Sequence, residues 1–378
     1  MIEARVRRQF ETLAAKTGPD PLLSFGSVLG AAAAVYGGLM TLRASLYGTG
    51  ALCPRRLSCP VVSVGNLAVG GTGKTPMILY LARRFRESGL RPVVLSRGYR
   101  GRAERSGGIV SDGNRILLSA EAAGDEPWMI ADLLSGVPVL VGKDRHAAGQ
   151  EALRRFSPDV ILLDDGYQHL RLARDLNLLL LDAAAPVGNG RIFPRGPLRE
   201  PLSAAARADA IVLTRCAVPE GTVPMILSKY RALLGKPVFR AAHIPKLRLI
   251  ASPDAGAGRT AGSIAGKRIF AFSGIARNEE FHASIHWLGG VPVAFSRYAD
   301  HYRYASKDTN ELQQAARRAR ADLMATTEKD WARLGGKNPF EQPLAVIGVD
   351  MDVVSGKEAM DGLLHGLFQN RIIQVTER

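Results

Sequence analysis

The sequence predicts an α/β protein with a mostly parallel sheet, and three observations lead to that prediction. Short, strongly apolar segments alternate with helix-like ones from Pro60 onward. Because these segments lack the polar alternation of a half-exposed strand, we expect strands buried on both faces, as in a parallel sheet covered by helices. A glycine-rich loop follows the first strand, and a later apolar segment ends in two adjacent aspartates.

The glycine-rich loop is Gly65–Pro76, with the sequence GNLAVGGTGKTP. It follows the apolar run Cys59–Val64 and precedes a predicted helix over Met77–Glu87. That order is the one a phosphate-binding P-loop requires, although Ala68 stands where the motif has its first glycine. We therefore predict a P-loop NTPase-like fold that binds a nucleoside triphosphate and Mg²⁺. The loop residues expected to bind them are Gly70, Gly71, Thr72, Gly73, Lys74 and Thr75.

Composition restricts the class of protein further. The chain has 378 residues, of which 46% are apolar and 22% charged, so we expect two globular domains. Three cysteines give no disulfide framework, which fits a reducing compartment. The net charge of +15 favours an anionic partner, which leaves nucleic acid, an acidic membrane surface and a phosphorylated substrate. Basic residues are not interleaved with aromatic ones, so we expect no nucleic acid.

The first 50 residues predict a membrane-associating helical segment. Residues 1–20 have the pattern of a basic amphipathic helix, and the next segment, Leu22–Leu42, contains no charged residue. That segment is long enough to cross a bilayer but is rich in alanine and glycine. We expect a helix or helical hairpin lying on the cytoplasmic leaflet, with a buried core helix and a true membrane span as alternatives.

Two α/β domains are predicted after this segment, over residues 51–218 and 219–356. A final helix over 357–378 is expected to pack back on the first domain. The predicted strands of the first domain are Pro92–Ser96, Ile109–Ser111, Val137–Val141, Asp159–Leu163, Leu176–Leu181 and Ala210–Thr214. Those of the second, smaller domain are Pro237–Ala241, Arg268–Phe272, Pro292–Phe295, Leu323–Thr326 and Leu344–Val349.

Two blocks supply carboxylates for chemistry. The strand before Asp164 and Asp165 has the form of a Walker B element, whose carboxylate holds the Mg²⁺ that Thr75 also contacts. Gly124-Asp125-Glu126-Pro127 fits either a helix N-cap or a general base that accepts the proton of a hydroxyl.

Three further candidates are basic. Arg97, after a strand, is suited to gripping a phosphate, and Arg199, in a proline- and glycine-rich loop, to neutralising a phosphoryl group in transfer. A surface turn and solvated loop charges are the respective alternatives. His301 follows a strand of the second domain, where a histidine is more often structural.

Taken together, these blocks resemble the tetraacyldisaccharide 4′-kinase family, which is the lipid A 4′-kinase of Gram-negative bacteria. The resemblance rests on eight segments in order: GNLAVGGTGKTP (65–76), LSRGYRG (95–101), GDEP (124–127), LLDDGYQH (162–169), NGRIFPRGPLREP (189–201), SGIA (273–276), DHY (300–302) and TEKD (327–330). It implies an ATP- and Mg²⁺-dependent kinase that phosphorylates the 4′-hydroxyl of tetraacyldisaccharide 1-phosphate, to give lipid IVA, at the cytoplasmic face of the inner membrane. A monomer is expected.

The resemblance also implies roles for single residues. Asp125 would be the catalytic base, assisted by His301, and Asp164 and Asp165 would be the metal carboxylates beside Thr75. The residues implied to lie around the nucleotide or the metal are Gln168, His169, Arg199 and Glu200. Those implied to contact the substrate are Arg97 and Tyr99.

Two other functions remain possible at this stage. The first is a P-loop kinase of a soluble metabolite, against which the uncharged segment Leu22–Leu42 argues. A nucleic-acid-dependent ATPase or a nucleotide switch is disfavoured, because Thr326–Asp330 lacks the register of a guanine-reading Asn-Lys-x-Asp motif.

Overall fold

The computed structural model describes residues 24–216, 227–228, 230–253, 259–260 and 262–376, together with Gly18 and Pro21. Its helices are α1 (Phe25–Gly48), α2 (Lys74–Glu87), α3 (Ala120–Ala123), α4 (Asp125–Leu133), α5 (Arg145–Phe156), α6 (Asn278–Trp287), α7 (Ser306–Arg318), α8 (Glu328–Arg333) and α9 (Lys357–Thr376). Its strands are β1 (Val61–Gly65), β2 (Pro92–Ser96), β3 (Gly108–Ser111), β4 (Val139–Val141), β5 (Val160–Asp164), β6 (Leu176–Asp182), β7 (Ala210–Thr214), β8 (Val238–Ala251), β9 (Arg259–Thr260), β10 (Arg268–Ser273), β11 (Val291–Arg297), β12 (Leu323–Thr327) and β13 (Leu344–Ser355).

One sheet contains all thirteen of these strands. Its order is β11-β10-β12-β13-β8-β7-β6-β1-β5-β2-β4-β3, and β9 pairs with β8 beside this path. The central strands β5, β1, β6 and β7 are parallel and buried along their whole length. The prediction of a mostly parallel sheet covered by helices is therefore confirmed. Because the strands are parallel, their carboxyl ends form one edge of the sheet, where ligands of open α/β folds bind.

The two long strands β8 and β13 reverse the direction of the sheet. β8 pairs in parallel with β7 over only Val238–Arg240 and then runs on, antiparallel to β13, as far as Ala251. β12 and β10 lie beyond β13 and run parallel to it. The carboxyl ends of the second group of strands consequently face those of the first group, and a cleft lies between the two edges.

The sequence prediction of these two strands was too short. It ended them at Ala241 and Val349, whereas they continue to Ala251 and Ser355. The continuation of β8 alternates partly buried and exposed positions and contains polar residues, which interrupt the apolar run that the prediction used. The sheet passes through both predicted domains without a break, so the boundary near residue 218 stays a prediction.

The C-terminal helix α9 lies against α2, the helix that follows the glycine-rich loop. Arg84 of α2 donates to Asp361 of α9 at 2.6 Å. The rings of Phe85 and Phe368 meet edge to face, with centroids 6.2 Å apart. Met360 of α9 is fully buried in the same core.

The apolar helix α1 is longer than the predicted segment and ends at Gly48 instead of Leu42. In the part of the chain that the structure describes, it is the one helix long and apolar enough to cross a membrane. Its outer side exposes large apolar side chains, with Phe25 64% and Val35 68% exposed. Its inner side is made of small residues, and a Cβ on Gly37 would stand 2.7 Å from Ile192. The predicted amphipathic helix over residues 1–20 lies outside the described residues.

Candidate active site

The glycine-rich loop connects the carboxyl end of β1 directly to α2. The helix begins at Lys74, three residues before the predicted start, so that its first N–H groups face the loop. Gly70 and Gly73 have φ values of 123° and 86°, a region that side-chain-bearing residues rarely adopt. The Thr75 side chain is buried beside them. Free N–H groups at a helix start, a lysine and a hydroxyl are the elements of an anion and Mg²⁺ site.

Lys74 already contacts an acidic and an amide side chain. Its Nζ lies 3.5 Å from Oδ1 of Asp165 and 3.4 Å from Oδ1 of Asn66. Asn66 is fully buried, and its own carbonyl accepts a hydrogen bond of 2.9 Å from the Gln168 side chain. The lysine is thus held at the mouth of the loop by groups from two neighbouring strand ends.

The two adjacent aspartates after β5 have opposite electrostatic environments. Asp164 is 2% exposed and accepts a hydrogen bond from the Ser96 hydroxyl at 3.0 Å. Burial, and then the negative charges of Glu126 and Asp165, raise the pKa of Asp164 to about 7. Burial also opposes ionisation of Asp165, but Lys74 and Arg199 outweigh it, so the pKa of Asp165 lies below its ordinary value. Arg199 reaches both carboxylate oxygens of Asp165, at 3.1 and 2.9 Å.

These donors fit Mg²⁺. The ion usually keeps several waters and takes only one or two protein carboxylates together with substrate phosphates. Asp164, a buried carboxylate that forms no ion pair among the described residues, lies on the strand next to the one that leads to Thr75. The described residues contain no group of three or more His, Cys, Asp or Glu side chains that could hold a metal ion.

Asp125 lies at the start of α4 and meets two groups of the opposite lobe. Its Oδ2 is 3.4 Å from Nδ1 of His301 and 2.8 Å from Nε of Arg333. Burial opposes ionisation of Asp125, but the hydrogen bonds from His301 and Arg333 prevail and lower its pKa to about 2. The backbone around it is tightly packed, since a Cβ on Gly124 would lie 2.9 Å from the carbonyl oxygen of Tyr99.

Glu126 makes a further contact across the cleft. Lys329 lies 2.6 Å from its Oε1 and, as the largest influence, lowers the pKa of Glu126. Lys74 lowers it as well, and Glu126 in turn raises the pKa of Asp164. Glu126, the neighbour of the candidate base Asp125, therefore lies within electrostatic reach of Lys74 in the glycine-rich loop.

Arg333, Lys329 and Asn66 had no predicted role. Arg333 is 1% exposed and also donates to the Gly274 carbonyl and to Asp330. Lys329 and Arg333 are four residues apart, a spacing that places them on one side of a helix and could have singled them out. In the sequence analysis, the segment Thr326–Asp330 served only to exclude a guanine-reading motif.

Of the remaining predicted residues, Arg97 and Tyr99 follow the carboxyl end of β2, and His169 lies four positions after Asp165. Arg97 is half exposed and bound to Glu104 at 2.6 Å, and Tyr99 is exposed, with Arg100 over its ring. The Nε2 atom of His169 is buried without a partner, and burial followed by Arg145 lowers the pKa of this histidine to about 4.

The structure does not bring Glu200 to the other predicted groups. Arg199 N donates to the Leu67 carbonyl, so residues 197–199 lie beside the loop. Arg199 contacts Asp165, but Glu200 is buried and accepts from Arg207 at 2.6 Å. Its nucleotide or metal role stays a prediction.

Fold and site together define a P-loop α/β protein in which two carboxylates at the start of α4 contact cationic groups of the opposite lobe, near the lysine of the glycine-rich loop. A family model described as Tetraacyldisaccharide-1-P 4′-kinase matches residues 26–369. The chain belongs to this family.

Relatives and a solved structure agree with this assignment. The chain is 42% identical to tetraacyldisaccharide 4′-kinase of Desulfatibacillum aliphaticivorans, over 95% of this chain and 97% of the relative. It is 46% identical to that of Geobacter sulfurreducens, over 82% of this chain and 84% of the relative. The crystal structure of LpxK from Aquifex aeolicus in complex with ATP superposes with a TM-score of 0.73 at 32% identity, and covers 91% of this chain and 100% of that one.

Proposed function

We propose that this protein transfers the γ-phosphoryl group of ATP to the 4′-hydroxyl of a tetraacyldisaccharide 1-phosphate, which yields lipid IVA for lipid A biosynthesis. Family membership supports the reaction, and the cleft supports the assignment of residues. The observation that carries the proposal is the position of Asp125, which contacts His301 and Arg333 of the opposite lobe and precedes Glu126, whose pKa Lys74 of the glycine-rich loop lowers. A kinase of a soluble metabolite is not favoured by any of these relatives.

The phosphate-binding residues hold and neutralise the triphosphate. The N-terminus of α2 and Lys74 bind phosphate oxygens, and Arg199, which contacts Asp165, neutralises the negative charge that develops on the transferring phosphoryl group. Thr75 and Asp164, with Asp165 beside them, would hold Mg²⁺, which supplies charge neutralisation at the β- and γ-phosphates when bound. Lys74 would exchange its long contact with Asp165 for the phosphates.

Asp125 acts at the acceptor. With a pKa near 2 it is ionised at neutral pH, so it can accept a hydrogen bond from the 4′-hydroxyl and orient the oxygen for attack. As the new P–O bond forms and the bond to ADP breaks, the hydroxyl proton passes to Asp125 and on to solvent. His301 and Arg333 hold the carboxylate in place, and contact between the lobes excludes water that would otherwise hydrolyse ATP.

The substrate is a lipid, and α1 supports membrane attachment on the side of the ATP pool, the cytoplasmic face. Its outer side is exposed and apolar, whereas Gly37 and Arg43 bind it to the kinase lobe through Ile192 and the Gln168 carbonyl. A helix held along the protein body in this way suits a monotopic, interfacial position. Arg97 and Tyr99, half exposed and exposed at the carboxyl end of β2, are available for the substrate headgroup.

The test is transfer of label from γ-labelled ATP to the disaccharide 1-phosphate in neutral detergent micelles with Mg²⁺. Absence of labelled lipid would refute the function. Asp125→Asn keeps the shape of the side chain but removes the proton acceptor, so we expect a loss of turnover of about 100-fold or more with nucleotide affinity retained. Glu121→Gln, which removes an exposed carboxylate of α3, is the matched control and should keep full activity.

Membrane attachment is tested separately. Deleting residues 1–48 should abolish flotation with vesicles, whereas ATP binding should persist. Flotation of the shortened protein at the level of the full chain would contradict the role of α1.

A further inference from the structure

Two cations of α8 reach across the cleft, and they differ in how many of their donors are already used. Arg333 is 1% exposed, and its guanidinium donates to Asp125 and to two groups of its own lobe. The Lys329 side chain is 32% exposed, and its ammonium group has one acceptor among the described residues, Glu126 at 2.6 Å. Because a lysine ammonium has three N–H donors, two of them are available to a ligand in the cleft.

The backbone that carries Lys329 is firmly anchored. The next residue, Asp330, is fully buried and accepts hydrogen bonds from the Tyr304 and Thr327 hydroxyl groups, at 3.0 and 2.7 Å. Thr327 also caps α8, since its Oγ1 accepts from the Asp330 N–H at 3.2 Å. Anchoring of this kind lowers the entropy that is lost when a side chain binds a ligand. Only the side chain of Lys329 has to move toward such a ligand.

A series of contacts places the partner of Lys329 at the sheet edge that carries the phosphate site. Glu126 belongs to the first turn of α4. Gly124, two residues earlier, packs so closely on the loop after β2 that an added Cβ would stand 2.9 Å from a carbonyl oxygen there. β2 ends at Ser96, whose hydroxyl donates to Asp164 at 3.0 Å, and it pairs in parallel with β5. The start of α4 therefore lies at the carboxyl edge of the sheet, beside the strand that ends in Asp164.

The charges around Glu126 agree with that position. Lys329 is the largest influence that lowers the pKa of Glu126, and Lys74 of the glycine-rich loop lowers it as well. Electrostatic influence fades with separation, so this carboxylate lies in the neighbourhood of two lysines, one from each lobe. A triphosphate with bound Mg²⁺ is still anionic, and it would attract both ammonium groups.

We propose that Lys329 is a catalytic residue whose ammonium group contacts a non-bridging oxygen of the γ-phosphate from the second lobe. The assignment rests on the proposed function, because it concerns the phosphoryl group in transfer. Glu126 holds the ammonium group at the edge of the phosphate site, and one of its two remaining donors binds the γ-phosphate of ATP.

The contact stabilises charge and transfers no proton. The bond from the γ-phosphorus to the oxygen of ADP breaks as the bond to the acceptor oxygen forms, and negative charge is spread over the phosphoryl oxygens. Lys329 neutralises part of this charge and stays protonated, since the acceptor proton passes to Asp125. Because the lysine belongs to the second lobe, its contact is available only while the two lobes meet. An open cleft would lack it and hydrolyse ATP more slowly.

A planar mimic of the phosphoryl group tests the contact without the acceptor. We would measure binding of MgADP to the full-length protein in neutral detergent by calorimetry, with and without aluminium fluoride, which occupies the γ-phosphoryl position. Lys329→Met keeps an unbranched side chain of similar length but removes its charge. We expect this variant to bind MgADP like the wild type, which also shows that it folds, and to bind the aluminium fluoride complex about 100-fold more weakly. Equal affinity of variant and wild type for that complex would overturn the proposal.

Two further comparisons exclude general charge and a purely structural role. Lys307→Met is the matched control, because it removes a lysine of the same lobe that is 85% exposed and lies 3.8 Å from Glu311. It should bind both ligands like the wild type. In a Glu126→Gln background the ion pair is already lost, and Lys329→Met should still weaken the aluminium fluoride complex about 100-fold. Absence of a further loss in that background would show that Lys329 acts only by holding Glu126, and would overturn the proposal.

The kinase assay separates the γ-phosphate from the phosphate of the acceptor. Lys329→Met should lower kcat about 100-fold at an unchanged KM for the disaccharide 1-phosphate, as expected when an interaction of the transition state is removed. A rise in that KM at an unchanged kcat would assign the lysine to the 1-phosphate and overturn the proposal. If the wild type bound the aluminium fluoride complex but did not label the disaccharide, the proposed acceptor would be refuted, whereas the binding comparison would still decide the contact of Lys329.

Discussion

The adjacent residues Asp164 and Asp165 should respond oppositely to the same substitution. Burial and the charges of Glu126 and Asp165 outweigh the influence of Lys74 and raise the pKa of Asp164 to about 7, whereas Lys74 and Arg199 hold the pKa of Asp165 below its ordinary value. Asp164→Asn keeps the shape and the hydrogen bond from Ser96 but removes a charge that the folded state tolerates poorly. We expect this variant to be more stable than the wild type at alkaline pH in the absence of Mg²⁺ and nucleotide, although it loses kinase activity.

The magnitude follows from the pKa. A carboxyl group whose folded pKa is raised binds more protons in the folded than in the unfolded state, so stability falls as pH rises between the two pKa values. With pKa values of 3.8 unfolded and about 7 folded, the raised pKa of Asp164 costs about 4 kcal/mol of stability at pH 8, where the group is ionised, and about 2 kcal/mol at pH 5, where it must take up a proton on folding. For a chain of 378 residues this corresponds to a gain in Tm of about 5 °C at pH 8 and about 2 °C at pH 5 in the asparagine variant.

Scanning calorimetry in neutral detergent, without Mg²⁺, measures both values. Burial of the new amide shifts Tm equally at both pH values, so the difference between them isolates the ionisation of Asp164. Asp165→Asn is the matched control and should lower Tm at pH 8, because Lys74 and Arg199 lose their counter-ion. If the effect of Asp164→Asn were the same at pH 5 and pH 8, Asp164 would not be an uncompensated carboxylate and the metal assignment would lose its electrostatic support.

Three further substitutions test the residues around the cleft. Arg333→Lys keeps the positive charge but loses the guanidinium geometry that joins Asp125, Gly274 and Asp330, so the pKa of Asp125 should rise from about 2. We expect kcat/KM to fall about tenfold and the acidic limb of the pH–rate profile to move to higher pH. An unchanged pH–rate profile would contradict the contact between Arg333 and Asp125. Asn66→Ala removes an acceptor from Lys74 and a side-chain donor that faces the Gly70 carbonyl, so kcat/KM for ATP should fall about tenfold in steady-state assays. If the variant had wild-type kinetics, the position of Lys74 would not depend on Asn66. Gly73→Ala places a Cβ 2.5 Å from Nε2 of His243 at a φ of 86°, and ATP binding measured by calorimetry should be lost, whereas retained affinity would mean that the loop adapts.

Local patterns were sufficient for much of the fold and part of the site. The strands β1, β5 and β6 could be predicted from continuous apolar runs because they are buried along their whole length. β8 could not be predicted in full, because ten of its fourteen positions are partly or fully exposed and its pairing with β13 is long-range. Asp125 was placed among the candidates by its motif, but Arg333, which contacts it, lies more than two hundred positions away and carries no motif of its own.

The sequence by itself determined the strand, loop and helix of the predicted phosphate site, because Gly65–Pro76 and its two flanking elements are contiguous and each of their requirements is local. It determined the nearby carboxylates Asp164 and Asp165 as well, since a strand that ends in acidic residues brings them to the same sheet edge. Only the tertiary structure decided that the two aspartates differ in charge environment, that Glu200 turns away from Asp165 toward Arg207, and that His301 and Arg333 reach Asp125. The physical reason is the reversal of the sheet through β8 and β13, which makes two sets of strand ends face each other across a distance that no local pattern records.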